Sequence, residues 1–392
     1  MSQLPRISVL IPAYNARDCL GACLDSVLPQ GGVELQIVAV DDASDDGTAE
    51  LLDARAAADP RLTVVHRANN GGEGPARSSG LALCDGDWLL CVDADDELEP
   101  GSLARLMELA RDSAADVLLF RHVEVDGERE WEPPSPLADD APLYEEFDPT
   151  TRADALYTTW LSCVWNKCFR LSHIRACGLD FQPVRRIADT YFSLMALSCA
   201  RRVGIANLLV YRYRIHVAGS LTSMGDRSPA VFCEVCERLY DGLHESGRWP
   251  AFEVAFYNWV AENLPYNLTT MKTAAGFSAL VDAFRARGCE HIRFLEAPRD
   301  RLPNPWAYDH CCALMTQGPE PALFDFFLRQ LRETREAVSA RDAFEDERRA
   351  VATRMEHLDA ELRVVRGSVS FRLGRLLTRL PRALRDRLER GR

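Results

Sequence analysis

Four apolar runs within the first hundred residues, each leading straight into polar or acidic residues, limit what this chain can fold into. Ile7–Ile11 is followed by Pro12-Ala13-Tyr14-Asn15, and Leu35–Val40 ends in Asp41-Asp42. Leu62–Val65 leads to His66-Arg67 and the loop Asn69-Asn70-Gly71-Gly72-Glu73-Gly74, and Trp88–Val92 ends in Asp93-Ala94-Asp95-Asp96. Between these runs the apolar residues recur at helical spacing. Leu20, Cys23, Leu24, Val27 and Leu28 follow the first, Thr48–Ala58 the second, a segment carrying Arg77 in its first turns the third, and Leu103, Leu106 and Met107 the fourth. Strand and helix in alternation predict an α/β fold with a Rossmann-like, mostly parallel sheet. Ligands of such sheets bind outside the carboxyl ends of the strands, where this chain concentrates its carboxylates.

The acidic cluster has a chemical reading. Side chains alternate along an extended segment, so Asp93 and Asp95 point to the same side. Two hard oxygen ligands with positions left for phosphate oxygens suit Mg²⁺ or Mn²⁺, which would neutralise a diphosphate leaving group. The plainer reading is that Asp ends a strand and starts a turn. A matching Asp41-Asp42 on a neighbouring run weakens that plainer reading, because unpaired buried carboxylates are costly. Asp42 is placed to accept from a base N–H, with Asn15 and the Pro12–Asn15 backbone as a rim. Arg77 is suited to a diphosphate or a nearby carboxylate, or else to a surface salt bridge. The glycines at 71, 72 and 74 do not form G-x-G-x-x-G and follow the third strand, which argues against a dinucleotide fold.

Net charge is −13 over 392 residues, which excludes nonspecific nucleic-acid binding for the chain as a whole. Residues 363–392 reverse that sign, with ten Arg against Asp386 and Glu389. The start, MSQLPRISVLIPAYN, has no basic n-region or cleavage site, so no signal peptide is expected. No apolar run approaches the ~18 residues of a membrane span. Thirteen scattered Cys, several at apolar positions, fit reduced thiols in a cytoplasmic protein, and Cys233-x-x-Cys236 lacks the second pair that zinc needs.

ISVLIPAYNARDCLGACLDSVL, VDDASDDGT, NNGGEGPARSSGL and GDWLLCVDADDELEPGSL resemble, in order, the motifs of family 2 glycosyltransferases, inverting enzymes with the GT-A fold. The resemblance resumes at VWNKCFR, IADTYF and YRYRIHVAGSLT. It implies a nucleoside-diphosphate sugar donor, with a UDP-sugar favoured, and a glycan, polysaccharide or lipid-linked acceptor. By the same resemblance Asp42 reads the base, Asp93 and Asp95 serve metal and diphosphate, and Asp189 is the general base. Trp165, Asn166 and Lys167 fall on the acceptor side, against the alternative of an ordinary turn with Trp165 in the core. His216 falls over the donor phosphates or the metal, against the alternative of a structural histidine. This chain departs from the family in having Ala188 where Glu is usual and Ser78 where Asn is usual.

These readings assign residues 1–225 to a GT-A catalytic domain and 226–322 to a helical domain, in which Val231, Val235, Leu239 and Leu243 keep helical spacing. Phe344, Val351, Leu358 and Val365 keep a seven-residue spacing with Met355 and Leu362 between them, so 323–366 reads as a helical, coiled-coil segment or as one long surface helix. A coiled coil would allow a homo-oligomer. In 367–392 a leucine stripe faces a row of arginines, although Pro381 breaks the helix. That pattern predicts a basic amphipathic tail on an anionic membrane, at the inner face of the plasma membrane, with a solvated basic tail as the alternative. Two competing functions are a catalytically silent, glycosyltransferase-like scaffold, suggested by Ala188, and an Asp-dependent phosphohydrolase. The latter expects downstream Thr, Ser and Lys signatures that Glu97-Leu98-Glu99-Pro100 does not supply.

Overall fold

The four apolar runs form the strands expected of them. In the computed structural model, which describes residues 4–133, 137, 141–215 and 225–317, the chain begins β1 (Ile7–Ala13), α1 (Arg17–Val27), β2 (Leu35–Asp41), α2 (Thr48–Ala58), β3 (Leu62–His66), α3 (Glu73–Leu81) and β4 (Trp88–Cys91). β1 pairs in parallel with β2 and β4, and β2 with β3. β1 runs two residues past its apolar stretch, through Pro12. Pairing with β4 stops at Leu10–Cys91, so Pro12 lies on β2 alone and its missing N–H interrupts no ladder on the other side. α1 buries Leu20, Cys23, Leu24 and Val27, the face its spacing marks.

The chain continues through β5 (Glu97–Leu98), α4 (Ser102–Arg111), β6 (Val117–Asp126), β7 (Arg129–Trp131), β8 (Tyr144–Phe147), α5 (Ala153–Thr158), β9 (Lys167–Arg170), α6 (Leu171–Ala176), α7 (Ala188–Cys199) and β10 (Val203–Arg214). The strands form one sheet of order β3-β2-β1-β4-β9-β6-β10-β5, with β7 on β6 and β8 on β10. β9 is antiparallel to both β4 and β6, whereas β6 and β10 are again parallel. The sheet is therefore parallel over its first four strands and mixed beyond them. The reversal carries the segment before β9 to the same edge as the carboxyl end of β4.

Helices α8 (Val231–Glu245), α9 (Trp249–Thr269), α10 (Ala274–Ala283), α11 (Cys289–His291) and α12 (Pro305–Gln317) follow. Val231, Val235, Leu239 and Leu243 are all buried on α8, as their spacing requires. α8 packs on α7 and α9 packs on α5. All thirteen cysteines are unpaired thiols, seven of them buried. His216 and the segments 323–366 and 367–392, with the coiled coil and basic tail expected there, lie outside the described residues. No described helix is long and apolar enough to cross a membrane.

α3 lies close on the sheet because Gly80 faces it. A Cβ there would overlap Leu10 and meet Val40 Cγ2 at 2.8 Å, whereas a Cβ at Gly21 in α1 meets nothing within 4 Å. Gly80→Ala should therefore destabilise the protein by about 1–3 kcal/mol. Gly21→Ala should stabilise it by about 0.5–1 kcal/mol through helix propensity alone. Urea denaturation of the two variants checks both signs.

Candidate active site

At the carboxyl edge of β1 and β2, polar side chains tie neighbouring loops together. Asn15 donates from its side chain to Asp45 Oδ1 at 2.9 Å, and its Oδ1 accepts from Asp45 N at 3.0 Å. Asp41 Oδ1 accepts from Ser44 N at 3.1 Å, and Oδ2 lies 3.2 Å from His66 Nδ1. Asn15, Ala43 and Ile187 have φ of 48°, 62° and 50°. Left-handed backbone at non-glycine residues costs energy and collects at functional sites; here Asn15 ends the Pro12–Asn15 segment, Ala43 follows Asp42 and Ile187 lies two residues before Asp189. Ala13 is buried, whereas Tyr14 and Asn15 are exposed along the rim.

Asp42 is 2% exposed. Its carboxylate accepts from Gly71 N at 3.0 Å and Gly72 N at 2.7 Å and pairs with Arg67. It thus closes off the N-terminal amides of α3, where a negative charge is favoured. The carboxylate expected to read a base is already held by the glycine loop. The loop glycines are needed for this packing. Gly72 has φ 89°, and a Cβ on Gly74 would overlap the carbonyl oxygen of Gln182 and meet Ala188 Cβ at 3.0 Å. The glycine loop and the 182–187 loop therefore touch backbone to backbone, and that contact delivers Asp189 to the site.

Arg77 is not on the surface. It is 2% exposed and forks between Glu73, one turn earlier on α3, and Asp93 at the end of β4. Burial alone would push its pKa down, but the charges of Asp93 and Asp189 more than offset that and leave it raised. Asp189, in the first turn of α7, accepts from Val164 N at 3.3 Å. Burial raises its pKa, Asp93 adds to the rise, and Arg77 opposes it. Asp93, Arg77 and Asp189 thus share one charge network at the sheet edge.

Asp93 N donates to the Tyr211 hydroxyl at 3.0 Å, and that hydroxyl donates to Asp96 Oδ2 at 2.8 Å. Asp96 also accepts from Arg214 N at 2.7 Å, and burial holds its pKa well above the usual carboxylate range. Ala94 is buried between the two acids of the Asp93-x-Asp95 pair. Asp95 has no hydrogen bond or ion pair to another side chain among the described residues. Burial and the charge of Asp93 push it up to about 6. No group of three or more His, Cys, Asp or Glu able to hold a metal occurs among the described residues. The donor set nevertheless fits a divalent cation shared with a ligand: two neighbouring carboxylates, one of them desolvated and, among the described residues, without an ion pair.

Trp165, Asn166 and Lys167 are all buried. Trp165 stacks on Tyr211 and Tyr213 at centroid distances of 4.9 and 4.7 Å, two residues that share one face of β10. Lys167 Nζ donates to the carbonyls of Leu161 and Cys163 and to Asn166 Oδ1. Burial lowers it to about 8. These bonds fold the 161–166 segment so that Val164 N reaches Asp189. Glu73, Arg67, Asp96 and Tyr211 were not among the expected site residues. Only Glu73 left a readable signal, its four-residue spacing from Arg77.

The family model for glycosyl transferase family 2 matches residues 8–172. The putative glycosyltransferase EpsH of Bacillus subtilis (strain 168) is 28% identical over 221 residues, 55% of this chain and 62% of EpsH. The chain thus spans less than two thirds of that relative's own length. The structure of S. aureus TarS residues 1–349 superposes with a TM-score of 0.59 at 21% identity, covering 79% of this chain and 90% of that one. TarS 1–349 in complex with UDP-GlcNAc gives 0.53 at 19% identity, covering 76% and 92%. At these identities the likeness establishes the fold, which is the expected GT-A type.

Asp95 carries a testable cost. Its folded-state pKa lies above the unfolded value, so the native protein binds its proton more tightly and loses stability as pH rises. The cost is absent below about pH 4 and complete above about pH 6. In chelator, Asp95→Asn should be more stable than the parent by roughly 1–3 kcal/mol at about pH 7.5, and the difference should vanish near about pH 4. Paired urea titrations at the two pH values measure it.

Proposed function

We propose that this chain is an inverting glycosyltransferase that moves a sugar from a nucleoside diphosphate, UDP favoured, to a hydroxyl of a polysaccharide, glycan or lipid-linked acceptor. The observation that carries the reading is the single carboxylate of Asp189, coupled through Arg77 to the Asp93-x-Asp95 pair. A displacement with inversion needs one base to take the acceptor proton as oxygen attacks the anomeric carbon opposite the leaving diphosphate. Burial raises Asp189 and so improves it as a base near neutral pH. UDP is favoured because the structurally similar TarS domain has been crystallised with UDP and with UDP-GlcNAc.

Asp93 and Asp95 would hold Mn²⁺ or Mg²⁺, which when bound neutralises the diphosphate as it leaves. Asp42, the Pro12–Asn15 rim and Asp41 border the nucleoside, and the Arg67–Gly71–Gly72 contacts around Asp42 set its orientation. Lys167 and Asn166 hold the acceptor-side segment 161–166 that orients Asp189, with Trp165 packed beneath it. Ala188 is fully buried against Gly74. Glu73, one turn before Arg77, gives it a second carboxylate beside Asp93. Residues 367–392, by their arginines and leucines, would keep the protein peripheral on an anionic membrane.

Asp189→Asn preserves shape and removes the base, so transfer should fall by about 10²–10⁴-fold while UDP affinity stays near that of the parent. Asp95→Ala should remove the gain in UDP affinity that Mn²⁺ gives. Steady-state kinetics and calorimetry test both. Unchanged turnover in Asp189→Asn contradicts the proposed base, and equal UDP affinity in chelator and in Mn²⁺ contradicts the metal assignment.

A further inference from the structure

Arg186 is buried without, among the described residues, the partners that a buried arginine requires at Nε and Nη2. It lies three residues before Asp189, in the 182–187 loop that packs on the glycine loop, and is 4% exposed. Its Nε and Nη2 are buried with no hydrogen-bond partner among the described residues. Arg77, also buried, likewise has no partner for Nε among the described residues but has Glu73 and Asp93 for its two terminal nitrogens. Arg185, its exposed neighbour, donates to both oxygens of Asn70. A guanidinium taken out of water with unmet donors is among the costliest groups a fold can keep, and its fork matches the oxygens of a phosphate or carboxylate.

The surroundings of Arg186 distinguish it from the donor side. Burial lowers its pKa, and Tyr266 of α9 is the ionisable group that opposes this. None of Asp42, Asp93, Asp95 or Asp189 figures among the charges acting on it. Tyr266 also acts on Tyr213, which stacks on Trp165. Among the described residues no ion pair joins Arg186 to the carboxylates of the sheet edge, whose arginine partners are Arg67 and Arg77. Arg186 stands three residues before the proposed base, on the loop that packs against the glycine loop.

We propose that Arg186 docks an oxyanion, phosphate or carboxylate, carried by the acceptor beside the hydroxyl that Asp189 deprotonates. The proposal rests on the reading of Asp189 as the base, and it narrows the acceptor to an anionic glycan or phosphate-containing polymer. An acceptor oxyanion supplies the missing acceptors for Nε and Nη2, and binding fixes the acceptor in register with Asp189.

The test uses the full chain with inorganic phosphate and, separately, acetate as probes, with and without saturating uridine diphosphate and Mg²⁺. With the donor site filled, phosphate or acetate should raise the melting temperature of the parent by roughly 2–4 °C at saturation. The stronger of the two probes names the oxyanion. Arg186→Met should melt above the parent without any anion, because the unpartnered charge is gone, and should show no response to either probe. Arg186→Lys, which keeps the charge and loses the fork, should bind the anion at least about tenfold more weakly. Uridine diphosphate affinity should stay within about twofold of the parent in both variants. A Met variant that melts lower, or that responds to anions like the parent, overturns the proposal. So does a tenfold loss of uridine diphosphate affinity in Arg186→Met, which would place Arg186 on the donor. A parent protein that binds phosphate through Arg186 yet never binds uridine diphosphate contradicts the glycosyltransferase reading and leaves the anion site standing.

Discussion

The buried guanidinium of Arg77 is the interaction on which the rest of the site depends. A charge this deep is tolerable only when it is paired and hydrogen-bonded, and removing one partner of such a pair typically costs about 3–5 kcal/mol. Arg77 meets the requirement by joining Glu73 on its own helix to Asp93 at the end of β4. That tie fixes α3 against the strand that carries the acidic pair. The same charge holds down Asp189 and, behind Arg214, Asp95, both of which burial and Asp93 push upward. Arg77, helped at Asp95 by Arg214, thus permits three carboxylates to stand together at a sheet edge.

The geometry around Arg77 comes from residues that lack side chains or give up comfortable backbone. Gly80 lets α3 lie directly on β1 and β2, and Gly74 lets the glycine loop meet the 182–187 loop. Asp42 then closes the start of α3 through Gly71 and Gly72. Positive φ at Asn15, Ala43 and Ile187 concentrates strain in the loops after β1 and β2 and before α7. Desolvated Asp95, Asp96 and Asp189 add electrostatic cost in the same place. Such local cost, offset by the dry parallel sheet beneath, is expected where a charged ligand must be met without rearrangement.

Much of this was legible in the sequence because short apolar runs and turn-forming acids report directly on a parallel sheet. The first four strands, the α1 and α8 faces and the Asp93-x-Asp95 pair all follow from local spacing. β9 was not legible, because Lys167–Arg170 is a short strand whose direction depends on β4 and β6 rather than on its own pattern. The burial of Arg77 was not legible either, since an arginine on a helix reads as a surface residue until the acid facing it is known. Nor could spacing foretell that Lys167 spends its three donors on Leu161, Cys163 and Asn166, or that two nitrogens of Arg186 find no acceptor among the described residues. Those facts arise where segments distant in sequence meet.

The central claim is that Arg77 neutralises a shared cluster of carboxylates, and Arg77→Met tests it without reference to any ligand. Methionine fills much of the volume, so the loss is chiefly one of charge. Asp95 and Asp189 should then bind protons still more tightly in the native state, and stability should fall as pH rises through the range above about pH 4. Urea denaturation of parent and variant across about pH 4.5 to 8 gives the measurement. The account predicts near-parental stability at the acid end and a deficit that widens with pH. A deficit that is constant across the whole range would show that Arg77 contributes packing alone, and would contradict the account.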